Sequence, residues 1–289
     1  MPERPVPRPP VSRAVMILAL TALGLVGVAT EGAGQTIALQ PAPDTTFTVG
    51  MLANYSEGDY GTGRTTQILY VPTIVQWFPT ERFELRLTIP YLWERGRNII
   101  AFVGGGPEQA LRRVATRAGL ASTNRTHTED GLGDILLEGE YTLIEQRGPR
   151  PEIGTFAEIK FPTADDRRGL GTGKFDETIG ISFEKKLAEQ WVGSLDVFYT
   201  FVGSPAGTHL SDAAGWLLGI SYRPQPVLAI SAYFGGATTI DARQDDPLDL
   251  RLQVEYALSK ATKITGAMIK GLSNAAPHWG TALGIVFEF

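Results

Sequence analysis

The sequence predicts an all-β protein, a transmembrane antiparallel up-and-down β-barrel of about twelve strands behind an N-terminal signal peptide. Three observations predict it. Stretches of period-2 alternation recur along the chain after Asp44, the mark of strands with one apolar and one polar face. The segments joining them alternate between short and long. Once each strand is given a direction, its aromatic residues fall at two depths, as lipid-facing strands require.

The composition agrees with this class and excludes others. The 289 residues include 33 Gly and no Cys, and the net charge is -5. Without Cys there are no disulfides and no thiolate metal sites, which permits a life in the periplasm and outer membrane. The negative balance argues against nucleic acid as a partner. Beyond residue 30 no apolar run approaches the roughly 18 residues of a membrane helix, so a chain that crosses a bilayer must do so as strands.

At the N-terminus, Arg4, Arg8 and Arg13 stand among prolines. Ala14 to Val28 follow, almost wholly apolar, before the small residues Ala29, Gly32 and Gly34. Residues 1–34 therefore read as a secretory signal peptide, with cleavage after Ala29 or Gly34 equally allowed. An uncleaved anchor helix is the alternative, and its apolar core is short for a span. Residues 44–289 form the barrel. Its strands are expected at 45–55, 65–78, 82–94, 133–145, 152–162, 174–187, 190–202, 212–223, 227–238, 248–258, 262–270 and 279–289. Short links follow the even strands, such as Ala188-Glu189 and Pro224-Gln-Pro226, and longer ones follow the odd strands. An even strand number with loops sorted by side is the habit of outer-membrane barrels and puts both termini in the periplasm.

That topology assigns a depth to every side chain. Phe47, Trp77, Phe83, Trp191, Tyr222, Tyr256 and Phe287 face outward near the periplasmic side. Tyr55, Tyr91, Trp93, Phe161, Phe175, Phe201, Phe234 and Trp279 face outward near the external side. The opposite parity carries Glu84, Arg86, Glu138, Glu140, Glu158, Lys160, Asp176, Glu184, Asp196, Asp249, Arg251, Glu255 and Glu288, the residues expected to line the lumen. Centring the fourth hairpin near Pro149 sets Glu138 opposite Lys160 and Glu140 opposite Glu158. A soluble sandwich would exchange the two faces and bury the apolar one. The last strand, Trp279 to Phe289, carries its bulky residues on one face and ends on an aromatic, as do bacterial outer-membrane barrels, so the expected partners include outer-membrane lipid and the outer-membrane assembly machinery, which would engage the strand ending in Phe289.

Two stretches carry a family resemblance: Gly131-Leu-Gly-Asp134, opening the fourth strand, and Lys160-Phe-Pro-Thr163 followed by Gly169-Leu-Gly-Thr-Gly173. They resemble the outer-membrane barrel family labelled "putative MetA pathway of phenol degradation", whose members are commonly called transporters. Ala164-Asp165 stands where that pattern usually has Gly-Asp. The resemblance covers residues 65–289 and implies a transport barrel without naming its solute. The glycines themselves read as backbone devices at strand ends.

Catalytic and metal chemistry find little support. His127, His209 and His278 fall in expected loops without metal-ligand spacing. His209 and Ser211 resemble the His/Ser arrangement of outer-membrane lipid hydrolases, but parity read back from Trp216, Leu218 and Ile220 points both inward, away from lipid. Pro162 to Asp166 lacks the ligand spacing of a Ca loop. The long connection 95–132 holds a helix signature over residues 107–119: Pro107 at the first turn, Glu108, an apolar stripe, and Gly119 at the end. Arg112, Arg113 and Arg117 would make that helix a basic constriction over an acidic lumen. The function expected is passive passage of small solutes through an outer-membrane channel, aromatic or hydrophobic compounds among them, with no cofactor, no metal and no catalytic residue. A lipid hydrolase using His209 and Ser211, and a non-conducting structural or binding barrel, are the alternatives.

Overall fold

The computed structural model describes residues 45–97, 100–102, 113–115 and 126–289. The signal-peptide region lies outside the described residues, as do Arg112 and Arg117. Among the described residues fifteen strand segments occur: β1 (Phe47–Gly58), β2 (Thr66–Thr80), β3 (Phe83–Gly96), β4 (Ile100–Phe102), β5 (Arg113–Ala115), β6 (His127–Leu132), β7 (Ile135–Ile144), β8 (Glu152–Phe161), β9 (Asp176–Ala188), β10 (Trp191–Val202), β11 (Ala213–Gln225), β12 (Leu228–Ala237), β13 (Leu248–Ser259), β14 (Thr262–Gly271) and β15 (Trp279–Glu288). Successive crossings of the main sheet pair antiparallel. β1 also pairs with β15 and β2 with β3, so the sheet closes. β6 and β7 both pair with β3 and form two halves of one crossing, which makes twelve crossings in all. Closure leaves the full-length crossings without an open edge, the condition for strands to stand in lipid, and among the described residues only β6 and the β4–β5 ribbon keep an unpaired side.

The outward face is the apolar one. Leu283 and Met268 are 70% and 67% exposed, and aliphatic and aromatic residues follow at alternate positions of every crossing. A soluble sandwich would bury them, so that alternative fails. The two aromatic belts pair across strands. At the short-turn end Phe47 stacks on Trp77 at 6.2 Å and Trp191 on Tyr222 at 4.6 Å; at the long-loop end Tyr55 meets Trp279 at 5.4 Å and Phe161 meets Phe175 at 5.8 Å. Offset and edge contacts of this kind add about 0.5–1.5 kcal/mol beyond burial. Register irregularities recur beside the short turns, as between Thr142 and Ile144 and between Tyr222 and Gln225, where a bulge lets a tilted pair turn tightly.

Three expectations are corrected. The fourth crossing starts at His127, not at 133, and the motif Gly131 to Asp134 lies within it, with Gly133-Asp134 as the break between β6 and β7. The β7–β8 hairpin turns on Gly148-Pro149, closed by Arg147 and Arg150, and the bulge at Thr142/Ile144 slips the register further. Glu138 thus lies opposite Glu158, and Lys160 opposite Leu136. In the long connection, Arg113–Ala115 pairs with Ile100–Phe102 as a two-stranded ribbon, so these residues are not helical. Helix signals in a short segment are a weak preference, and a strand partner with β-branched and aromatic residues overrides it.

Candidate functional site: the lumen and its long-loop mouth

Nearly all the residues assigned to the inner face by parity are buried: Lys160 and Asp176 are 1% exposed, Asp249 0% and Asp196 2%. A water-filled bore of porin width would leave such side chains solvated. Instead they bond to one another. Arg86 reaches Glu84 at 2.8 Å and Glu138 at 3.0 Å. Glu84 also accepts from Gln76, which in turn accepts from Thr48, both at 2.7 Å. Beside this group Ser182 donates to Glu140, the cross-strand neighbour of Glu84, at 3.2 Å, and across the barrel on β13 Arg251 pairs with Asp249 at 2.8 Å and Gln253 donates to Glu255 at 2.8 Å. Buried charges persist only with such partners. Sequence reasoning missed Glu94 (0% exposed), Asp134, Arg223 and Lys263, the last paired with Glu288 at 2.5 Å. Parity could have found Glu94, which shares the face of Glu84 and Arg86.

The family-like motifs meet at one place, where the loop 162–175 folds into the mouth of the barrel. Lys160 donates to Asp134 at 2.6 Å, to Thr172 at 3.2 Å and to the carbonyl of Lys174 at 3.1 Å, and lies 3.2 Å from Asp176. Asp134 also accepts the backbone N–H of Ala164 at 3.0 Å, and Thr163 bridges the break between β6 and β7 through Gly133 O and Ile135 N. Gly171 is required here, because a Cβ would stand 2.7 Å from that of Ala164 and 2.9 Å from both oxygens of Asp134. Gly173, at φ +66°, takes a conformation that side chains disfavour. On the rim Arg168 bonds Glu129 at 2.8 Å.

So fastened, the loop sets Leu170 and Ala164 against Tyr60, Ile68, Tyr70 and Leu92 in a buried cluster. Ile68, Tyr70 and Leu92 occupy inward parity on β2 and β3, so the mouth carries an apolar patch on that side, beside Glu94 opposite Ile68 and the Lys160 network. Ile240, from the loop 238–247, packs likewise on Ala213. In that loop Arg243, bonded to Asp241 at 2.8 Å, holds its carboxyl below the ordinary aspartate range. Deeper in the barrel two rings lie flat on glycines. In one cross-strand row stand Phe156, Gly180, Phe198 and Gly215, and a Cβ on Gly180 would fall 2.1 Å from the Phe156 ring and one on Gly215 2.4 Å from the Phe198 ring.

The hydrolase pair does not assemble. His209 and Ser211 lie before β11 begins, both exposed on the loop 203–212, so the inward orientation expected of them is not observed. Among the described residues no cluster of three or more His, Asp or Glu could hold a metal.

A closed antiparallel barrel with an apolar belt, a charged inner wall and a loop-covered mouth defines a barrel of the outer-membrane type. Residues 65–289 match the family described as "Putative MetA-pathway of phenol degradation", and the chain belongs to it. Among solved structures it is similar to an outer membrane channel from Pseudomonas putida F1, at a TM-score of 0.62 and 15% identity over 88% of this chain and 100% of that one. The KdgM porin follows at 0.51 and 7% identity (84% and 99% covered), and the NanC porin at 0.51 and 6% (83% and 100% covered). At these identities the likeness is one of fold. No curated protein matches the sequence.

Proposed function

We propose that this protein is a passive outer-membrane channel for small solutes, with aromatic or hydrophobic compounds as the class it favours. The observation that carries the reading is the apolar cluster of Tyr60, Ile68, Tyr70, Leu92 and Leu170 in the mouth, directly above a hydrogen-bonded charged wall. An apolar solute leaves water at such a cluster at a gain of roughly 25 cal/mol per Å2 buried, whereas a sugar gains little there. The loop 162–175 must move aside for passage, and its fastening to Lys160 makes it the natural gate. Arg112, Arg113 and Arg117, in the other long connection, supply a second, basic constriction over the acidic wall. Both termini are periplasmic, and the strand ending in Phe289 is the segment the assembly machinery engages. Purified protein in planar bilayers, with liposome uptake of phenol compared against a hexose, tests the reading. Faster phenol uptake and discrete conductance steps are expected. A barrel that neither conducts nor accelerates uptake is a structural or binding barrel instead.

A further inference from the structure

On the lipid-facing surface a groove of about 610 Å3 crosses the outward side of β9 to β13. Its size falls within the roughly 300–1,000 Å3 of ligand pockets. One wall is a cross-strand row of large residues, Phe183, Leu195, Leu218 and Phe234. The next row towards the periplasm runs through Gly193, Ile220 and Ala232, and the two small residues open the floor. Beyond it the stacked Trp191 and Tyr222 mark the interface. Lys185, opposite Gly193, lines one end, and its ammonium reaches out of the belt to the carbonyls of Gly148 at 2.6 Å and Arg150 at 3.5 Å. Arg147 and Arg150 are exposed on that same turn. The nearby Glu145 is engaged by Arg82 at 2.5 Å and lies 3.6 Å from Arg147.

We infer that the groove is a phospholipid site: it takes one acyl chain of a periplasmic-leaflet phospholipid, whose phosphate is held by Lys185 and Arg150. An apolar concavity inside the hydrocarbon belt is filled by hydrocarbon and not by water, and the depth of its basic end selects the leaflet. Lysines at strand ends extend to the headgroup level in this way, and cations there attract phosphate. Lipopolysaccharide, whose phosphates lie at the opposite face, cannot reach that end. The inference rests on the outer-membrane placement proposed above but not on conduction.

The test is native mass spectrometry of the full chain, purified in mild detergent and titrated with phosphatidylglycerol. Gly193→Leu with Ala232→Leu fills the floor, and Lys185→Glu with Arg150→Glu reverses the charge. Retained phosphatidylglycerol should fall about tenfold in the filled variant, equivalent to about 1.4 kcal/mol, and severalfold on charge reversal. Each variant is checked for the gel shift of a folded barrel, and if the filled variant fails that check the charge reversal decides alone. Equal retention in wild type and variants overturns the site. Loss of a dimer mass in the filled variant, with lipid unchanged, assigns the groove to a second copy of the chain and overturns it too. Single-channel conductance reports the channel reading separately, and the lipid count stands whichever way that falls.

Discussion

Lys160 is the residue on which the mouth depends, since one buried ammonium serves two carboxylates, a hydroxyl and a carbonyl. Lys160→Met leaves Asp134 and Asp176 buried without their cation. A cost of about 3–5 kcal/mol is expected, read as a lower urea midpoint for unfolding in detergent. Adding Asp134→Asn and Asp176→Asn should recover part of that loss, and a triple variant no better than the single one would contradict the ion-pair account. At the glycine seats the reasoning is steric. Gly180→Ala places a methyl group inside the Phe156 ring, so a loss of about 1–3 kcal/mol is expected. Phe156→Leu in the same chain should relieve it if ring contact is the cause.

Among the elements, the loop 162–175 is held along its length: by Thr163 to the break in the fourth crossing, by Arg168 to Glu129 of β6, and by Thr172 and the Lys174 carbonyl to Lys160. Replacing residues 165–171 with a short glycine linker should raise single-channel conductance several-fold while the barrel keeps its gel shift. Unchanged conductance would leave the loop as a cover without a gating role. Replacing Arg112, Arg113 and Arg117 with Glu tests the other long connection, because repulsion from the acidic wall should also raise conductance and weaken selectivity. Of its described residues, Arg113–Ala115 pair with Ile100–Phe102 as a ribbon.

For the whole molecule, closure through β1 and β15 ties the two described chain ends together, with Phe47 and Phe289 exchanging backbone hydrogen bonds at 3.2 and 2.9 Å. Such a barrel resists detergent until heated, so folded protein should migrate faster before boiling than after. Release from membranes by carbonate, with no mobility shift, would refute a transmembrane barrel. The inner wall carries more carboxylates than cations, and a KCl gradient should give a reversal potential of cation sign, strongest at low salt where screening is weak. Glu140→Gln should reduce it.

Much of this was legible without a structure because a strand's period of two converts position directly into facing. Parity separated the buried charges from the aromatic residues of the outer face, and the twelve alternating stretches match the twelve crossings, with short links at one end of the barrel and long ones at the other. Register was not legible to the same degree, since one bulge at Thr142/Ile144 and a two-residue turn moved Glu138 from Lys160 to Glu158. Nor was the mouth. Asp134, Lys160 and Thr172 stand far apart in the chain, and the glycine motifs between them looked like separate turn devices. Only closure of the barrel brings their strands around one opening, where a buried lysine must find its carboxylates. Facing is a local property of the backbone and can be read from sequence, whereas the partner of a buried charge is chosen by three-dimensional packing.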